Sequence, residues 1–337
     1  MDQGLIAAQH INRLLCRDAI SVGDMLGLQS QFLRYSKYAA KVRGIDLDTD
    51  PGKYFRAWTL RGTMHIHALD DYPLYMHAGN RSAYMKEYWD DYSVISPESK
   101  AKAEDRMLRL IEAGIIKRKD IVRSFLESGT PKATMDYLFN AWGGLPRILM
   151  ERGEIIQTVS DDLSYAFAPK VPVMAAEQAE REQMKRYLEN YAPCSVSDAV
   201  YFFRYAKSKA KRLMEKCVSG SSGMLTWKDG FVYKDPEAVC DPKATNAIFV
   251  LPGFDPLLLG YEKKENAMIP PEHLREVYNL QGIIKPVILH KGQCIATWTV
   301  RKNTAYIKPF QADNKAACER AKKQILELTQ CDGCRYE

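Results

Sequence analysis

Two glutamines one residue apart, Gln29 and Gln31, are the residues of this chain whose type and spacing could do chemistry together. A primary amide is neither a strong acid nor a strong base, so the pair cannot drive a reaction that depends on protonating a poor leaving group. It can do something narrower. One amide carbonyl can accept a hydrogen bond from a water and orient it, while the second amide holds that water or the substrate. Such a pair suits a hydrolysis whose leaving group departs readily and whose main cost is placing the water. The glutamines come at the end of a helix-like stretch, so their side chains share a direction only if the chain is extended or turning there. Taken alone, a Gln-x-Gln can equally cap a helix and face solvent.

Other chemistries lack their residues. His67 and His77 complete no triad or metal set, and no carboxylate or histidine cluster has the spacing a metal-dependent nuclease or hydrolase needs. Cys331 and Cys334 form a C-x-x-C without a second pair, which leaves two alternatives, a plain tail and a zinc site. Cys16, Cys194 and Cys294 sit among apolar residues as small hydrophobes do. Neither a metal nor a cofactor is expected. From Asp24 to Tyr35 there is no lysine, and the one cation, Arg34, keeps its proton in a protein. Lys37 and Lys41 are the nearest amines and lie on a polar stretch expected to be exposed, so no Schiff-base nucleophile is at hand.

A chain of 337 residues exceeds one ordinary core, and about two to four compact units are expected. Hydrophobic residues at 46% and charged residues at 27% describe a globular rather than a disordered chain. A net charge of +6 permits a polyanionic partner without demanding one. The first residues, Met1 to Ile6, lack a basic stretch followed by an apolar run, and no segment approaches bilayer-spanning length. A cytoplasmic protein without membrane partners is therefore expected.

Three segments repeat one design of helices followed by two short strands, the winged-helix pattern. The first covers residues 1–95. Leu5, Ala8, Ile11 and Leu15 keep helical spacing, Ser21 with Asp24 predicts a partial capping box before a second helix, and strands Ala57 to Leu60 and Thr63 to His67 fold about Arg61-Gly62. The second covers 96–172. Thr130-Pro131 predicts a helix start, Met135, Leu138, Phe139 and Trp142 a helical stripe, Gly143-Gly144 a break, and a hairpin follows from Ile155 to Phe167. The third covers 173–240, where Ala206, Ala210, Leu213 and Cys217 make a stripe on a helix otherwise covered by Arg204, Lys207, Lys209, Lys211, Arg212 and Lys216. In 241–337, strands at Ala247 to Leu251, Val287 to His290, Cys294 to Val300 and Thr304 to Lys308 suggest a small β-barrel closed by a helix from Lys315 to Leu328. Trp58, Trp142 and Trp298 fit core positions.

Four phrases in order carry a resemblance: Leu26-Gly27-Leu28-Gln29-Ser30-Gln31, Trp58-Thr59-Leu60-Arg61-Gly62-Thr63-Met64-His65, Leu251 to Tyr261 (LPGFDPLLLGY) and Gly292 to Trp298 (GQCIATW). Together they resemble the winged-helix DNA glycosylases of the AlkZ/YcaQ type, from about Ile11 to about Val300. The resemblance implies an α+β fold of tandem winged helices followed by a barrel, C-shaped around a channel for duplex DNA. It implies excision of N7-alkylated purines, bulky adducts and interstrand crosslinks included, by a monomer acting on double-stranded DNA. It implies that Gln29 and Gln31 are catalytic, in the Gln-x-Gln branch rather than the one with Asp second. Phe32 and Leu33 are bulkier and less polar than the family pattern leads one to expect.

Arg61, Thr63 and His65 on the first wing are candidate DNA contacts, against ordinary hairpin packing with Arg61 solvated. Lys207, Lys211 and Arg212 are candidate phosphate contacts, against a merely solvated helix face. Asp255 reads as a turn or capping residue in preference to a catalyst. The alternative function is a non-catalytic winged-helix DNA-binding protein or transcriptional regulator.

Overall fold

The computed structural model describes residues 3–77, 89, 93–234 and 246–337. Packing divides the chain into two compact units, one made of Met1–Asp46 with Glu180–Glu337 and the other of Leu47–Ala179. The expected boundary at 240 and 241 lies outside the described residues.

The first unit begins with α1 (Gln3–Leu15), which buries Ile6, Ala7, Ile11 and Leu14. The buried stripe is turned from the expected one, and Leu5 is exposed. Ser21 and Asp24 exchange the bonds of a capping box: the Ser21 backbone N–H donates to the Asp24 carboxylate at 2.8 Å and the Asp24 N–H donates to Ser21 Oγ at 3.1 Å. No helix follows, contrary to expectation. Leu26 and Gly27 both take left-handed backbone (φ 54° and 91°), which a right-handed helix cannot propagate through. The chain instead turns into a two-residue strand, β1 (Leu28–Gln29), and then α2 (Leu33–Lys41).

The second unit opens with an antiparallel pair, β2 (Tyr54–Trp58) and β3 (Met64–Ala68), with Phe55 opposite His67, Ala57 opposite His65 and Trp58 opposite Met64. The period of two sends His65 and His67 to one face while Met64 faces the other way, into the helical core with Trp58. That core is built by α3 (Pro97–Glu112), α4 (Arg118–Glu127), α5 (Lys132–Leu138) and α6 (Gly144–Glu151), through Met107, Ile111, Ile121, Phe125, Leu138, Leu145 and Leu149. Strands β4 (Ile155–Gln157) and β5 (Tyr165–Phe167) form the expected hairpin and continue the order β3-β2-β4-β5.

Two expectations here are corrected. Pro131, not Thr130, occupies the cap position of α5 and makes no side-chain cap bond. The helix ends at Leu138, so Trp142 lies beyond the stripe and is 63% exposed. Gly144 is required at that break, because a Cβ there would stand 2.2 Å from the Leu138 carbonyl oxygen.

The first unit resumes at Glu180, within α7 (Ala176–Tyr191), and continues with β6 (Cys194–Ser195), α8 (Val196–Phe203), α9 (Lys207–Ser219), β7 (Leu225–Lys228) and β8 (Phe231–Lys234). Arg204 ends α8 in left-handed backbone, and exposed Ala206 is the cap of α9 rather than part of its stripe. Buried Ala210, Leu213, Met214 and Cys217 make that stripe instead. Tyr187, Tyr191 and Tyr261 tie the unit together by donating to the carbonyls of Gly260, Met25 and Tyr191.

Strands β9 (Ile248–Leu251), β10 (Val287–His290), β11 (Gln293–Arg301) and β12 (Thr304–Pro309) are antiparallel neighbours, backed by α10 (Lys315–Thr329). The tail adds β13 (Gly333–Tyr336), parallel to β12. The expected barrel is thus corrected to an open five-stranded sheet in the order β13-β12-β11-β10-β9. Ala317, Cys318, Ala321, Ile325 and Leu328 of α10 pack with Val250, Ile288, Ile295 and Trp298, so the helix buries the sheet's apolar face without strand closure. Cys334, half of the C-x-x-C, sits in β13 opposite Ala305. Among the described residues no helix is long and apolar enough to cross a membrane, and no group of His, Cys, Asp or Glu is arranged to hold a metal ion.

Candidate active site

Gln29 is the last residue of β1 and Gln31 lies just past it, in a bend before α2. The Gln29 Nε2 donates to the Gln31 Oε1 at 2.9 Å. Gln29 is buried and Gln31 exposed, so the inner amide holds the outer one and the outer one meets solvent. Ser36, one turn into α2 and 2% exposed, donates its hydroxyl to the Gln29 carbonyl at 3.1 Å, so the helix after the motif holds its backbone. The two side chains are expected to share a direction only where the chain is extended or turning, and they meet where the strand ends and the chain bends.

A residue that sequence reasoning missed anchors α2. Arg43 grips Asp255 through two bonds, Nη1 to Oδ2 at 2.9 Å and Nη2 to Oδ1 at 2.8 Å, with both side chains fully buried. Arg43 also donates to the carbonyls of Leu14 and Ala39, both at 2.9 Å. Asp255 accepts from the Leu257 backbone N–H at 2.9 Å and so caps the helical turn Pro256–Leu259, the role expected of it. Nothing in the local pattern links two residues 212 positions apart. The only available signal was an aspartate inside a run of apolar residues, where a lone charge needs a partner.

In the second unit, Arg61, Thr63 and His65 come together on the β2–β3 turn. Arg61 has left-handed backbone (φ 59°). The His65 Nδ1 donates to the Thr63 carbonyl at 3.0 Å, which leaves Nε2 as the acceptor for the Arg61 guanidinium, also at 3.0 Å. Burial first, then the charge of Arg61, push the His65 pKa well below its ordinary value, so the ring is neutral as this bonding requires. At 1% exposure His65 acts by holding Arg61 rather than by reaching outward. Thr63 Oγ1 donates to the Leu60 carbonyl at 3.1 Å and shapes the turn. His67 stacks on Tyr75 with ring centroids 3.6 Å apart.

Lys207, Lys211 and Arg212 lie exposed on α9 in the first unit. Lys209 of the same helix is committed to Glu180 at 2.7 Å, and Lys211 stands 3.8 Å from Glu215 in a solvated pair worth little. If the exposed cations meet phosphate, Lys207→Gln with Lys211→Gln should weaken duplex binding evenly across sequences. The slope of log affinity against log salt should then fall by about one unit per lost contact. An unchanged slope in a binding titration returns α9 to a solvated face.

Two amides that can share one water, held between a strand and a helix start, suit an enzyme that places water on a bond ready to break. The chain belongs to the AlkZ-like DNA glycosylases, whose family model matches residues 24–328. It is 20% identical over 336 residues to the interstrand DNA cross-link repair glycosylase of Streptomyces sahachiroi, covering 93% of this chain and 90% of that protein. Its structure is similar to that of the Streptomyces sahachiroi DNA glycosylase AlkZ, with a TM-score of 0.73 and 16% identity, covering 100% of this chain and 99% of the other. The mixed α+β fold is shared, and the protein is a DNA glycosylase of this family.

Proposed function

We propose that this glycosylase hydrolyses the N-glycosidic bond of N7-alkylated purines in double-stranded DNA, bulky adducts and interstrand crosslinks included, with Gln29 and Gln31 orienting the attacking water. The observation that carries the proposal is the 2.9 Å bond between the two amides, one buried and one at the surface. A guanine alkylated at N7 is a cation, so when the bond from C1′ to N9 breaks, the electron pair neutralises the base without a general acid. Positive charge then develops on the sugar. The Gln31 carbonyl oxygen, which accepts one bond from Gln29, keeps a second lone pair with which it would accept a hydrogen bond from water, and its dipole would favour that charge. Water oxygen bonds to C1′ and its proton passes to solvent.

Tandem winged helices, with Arg61 on one wing and the cations of α9, are proposed to grip the duplex backbone. The cytoplasm is proposed as the working compartment.

The test is a duplex carrying one N7-methylguanine, incubated with the protein in EDTA and assayed for free base. Release is expected, and its absence would leave a non-catalytic DNA-binding protein. The abasic site should remain intact until alkali or heat cleaves it. Lys41 donates its amine to the Glu327 carbonyl at 2.8 Å, and no lysine lies within the motif. Borohydride should therefore trap no protein–DNA adduct, and an adduct persisting in Gln31→Ala would overturn the water-attack scheme.

A further inference from the structure

Phe32 follows Gln31 directly and is 47% exposed, an unusual place for a phenyl ring on a folded surface. It is not loosely placed. Its ring stacks on that of Phe254 with centroids 5.5 Å apart and planes 23° from parallel, and Tyr35 flanks it at 6.0 Å. Phe254 is buried and held at φ 58°, a backbone that a phenylalanine adopts only under constraint. The constraint is visible on both sides of it. Asp255 is locked by Arg43, and Gly253 packs so tightly that a Cβ there would stand 2.9 Å from the Tyr35 ring. The loop of the Leu251 to Tyr261 phrase thus supports an aromatic pair beside the amides, with one face of Phe32 covered and the remainder presented to solvent.

We propose that Phe32 is a specificity residue whose open ring face receives the alkylated purine and prefers it as a cation. The proposal rests on the N7-alkylpurine reading above. Alkylation at N7 spreads a positive charge over the purine, and the face of a phenyl ring carries the negative end of its quadrupole. A neutral purine gains stacking there. A cationic purine gains stacking plus charge attraction, so the ring distinguishes damaged from undamaged base.

The experiment compares full-length protein binding to two duplexes whose lesion cannot be released. One carries 2′-fluoro-N7-methylguanine, a cation, and the other 7-deaza-7-methylguanine, of the same shape and neutral. The wild type should favour the cationic duplex by about three- to thirtyfold, the span of such interactions from exposed to desolvated sites. Phe32→Leu keeps apolar bulk and should bring the ratio close to one, while Phe32→Trp should retain or raise it. Thermal unfolding of each variant checks that the fold is kept. An unchanged ratio in Phe32→Leu, or no preference in the wild type, overturns the proposal. Failure of the wild type to release base from an ordinary N7-methylguanine duplex would instead sink the proposed function, so the two failures are told apart.

Discussion

Replacing Gln31 by alanine should lower single-turnover release of N7-methylguanine at least about a hundredfold and change duplex affinity by only a few fold. A hundredfold loss is about 2.7 kcal/mol of transition-state stabilisation, the lower end of what one well-placed polar group supplies. The exposed amide of Gln31 is the member of the pair that meets solvent, so its loss would remove the group proposed to face the water. Gln29→Ala should lose comparably, because its Nε2 holds the Gln31 carbonyl oxygen at 2.9 Å. The double variant should then lose little more than either single one, as expected of two residues acting as a unit. Amides do not titrate, so the single-turnover rate should vary little between about pH 6 and about pH 9, where a histidine base would show itself. Wild-type turnover by the double variant would end the assignment.

The part of this site legible in the sequence was the part written in neighbouring residues. The amide pair, the turn at Arg61-Gly62 and the β4–β5 hairpin are local patterns; the hairpin formed where its spacing put it, while the strands expected at Ala57 to Leu60 and Thr63 to His67 run Tyr54–Trp58 and Met64–Ala68. Three things depended on distant partners. Ser21 and Asp24 signalled a helix start and made the capping bonds, yet positive φ at Leu26 and Gly27 converted the segment into the turn that delivers Gln29 to a strand. Trp142 looked like the next step of a stripe until Gly143 and Gly144 ended α5 early and left the ring outside. The strands of residues 241–337 were legible as strands, but whether they close depends on the tail. As β13 the tail adds one parallel edge strand instead of completing a barrel. Arg43 was invisible because its partner is remote in sequence, although the burial of Asp255 makes such a partner obligatory.

That obligation predicts the largest stability effect in the molecule. Asp255→Ala should destabilise the protein by about 3–5 kcal/mol, because it leaves the Arg43 guanidinium buried with two carbonyl acceptors and no counter-charge. Loss of the cap on Leu257 adds about 1 kcal/mol more. Against a typical total of about 5–15 kcal/mol, this should shift the urea unfolding midpoint visibly or abolish the fold. Arg43→Met strands the carboxylate instead and should cost a similar amount. Arg43→Lys should not rescue, since one ammonium cannot span both carboxylate oxygens and the Leu14 and Ala39 carbonyls. The double variant Arg43→Met with Asp255→Asn keeps a cap and removes both charges, so it should be less destabilised than the sum of the single changes. A wild-type midpoint for Asp255→Ala would show that the pair contributes nothing. The same variant should lose excision out of proportion to its unfolded fraction. Arg43 is what fastens the helix bearing Ser36, and Asp255 what fixes the loop bearing Phe254, to the segment that presents Gln29 and Gln31.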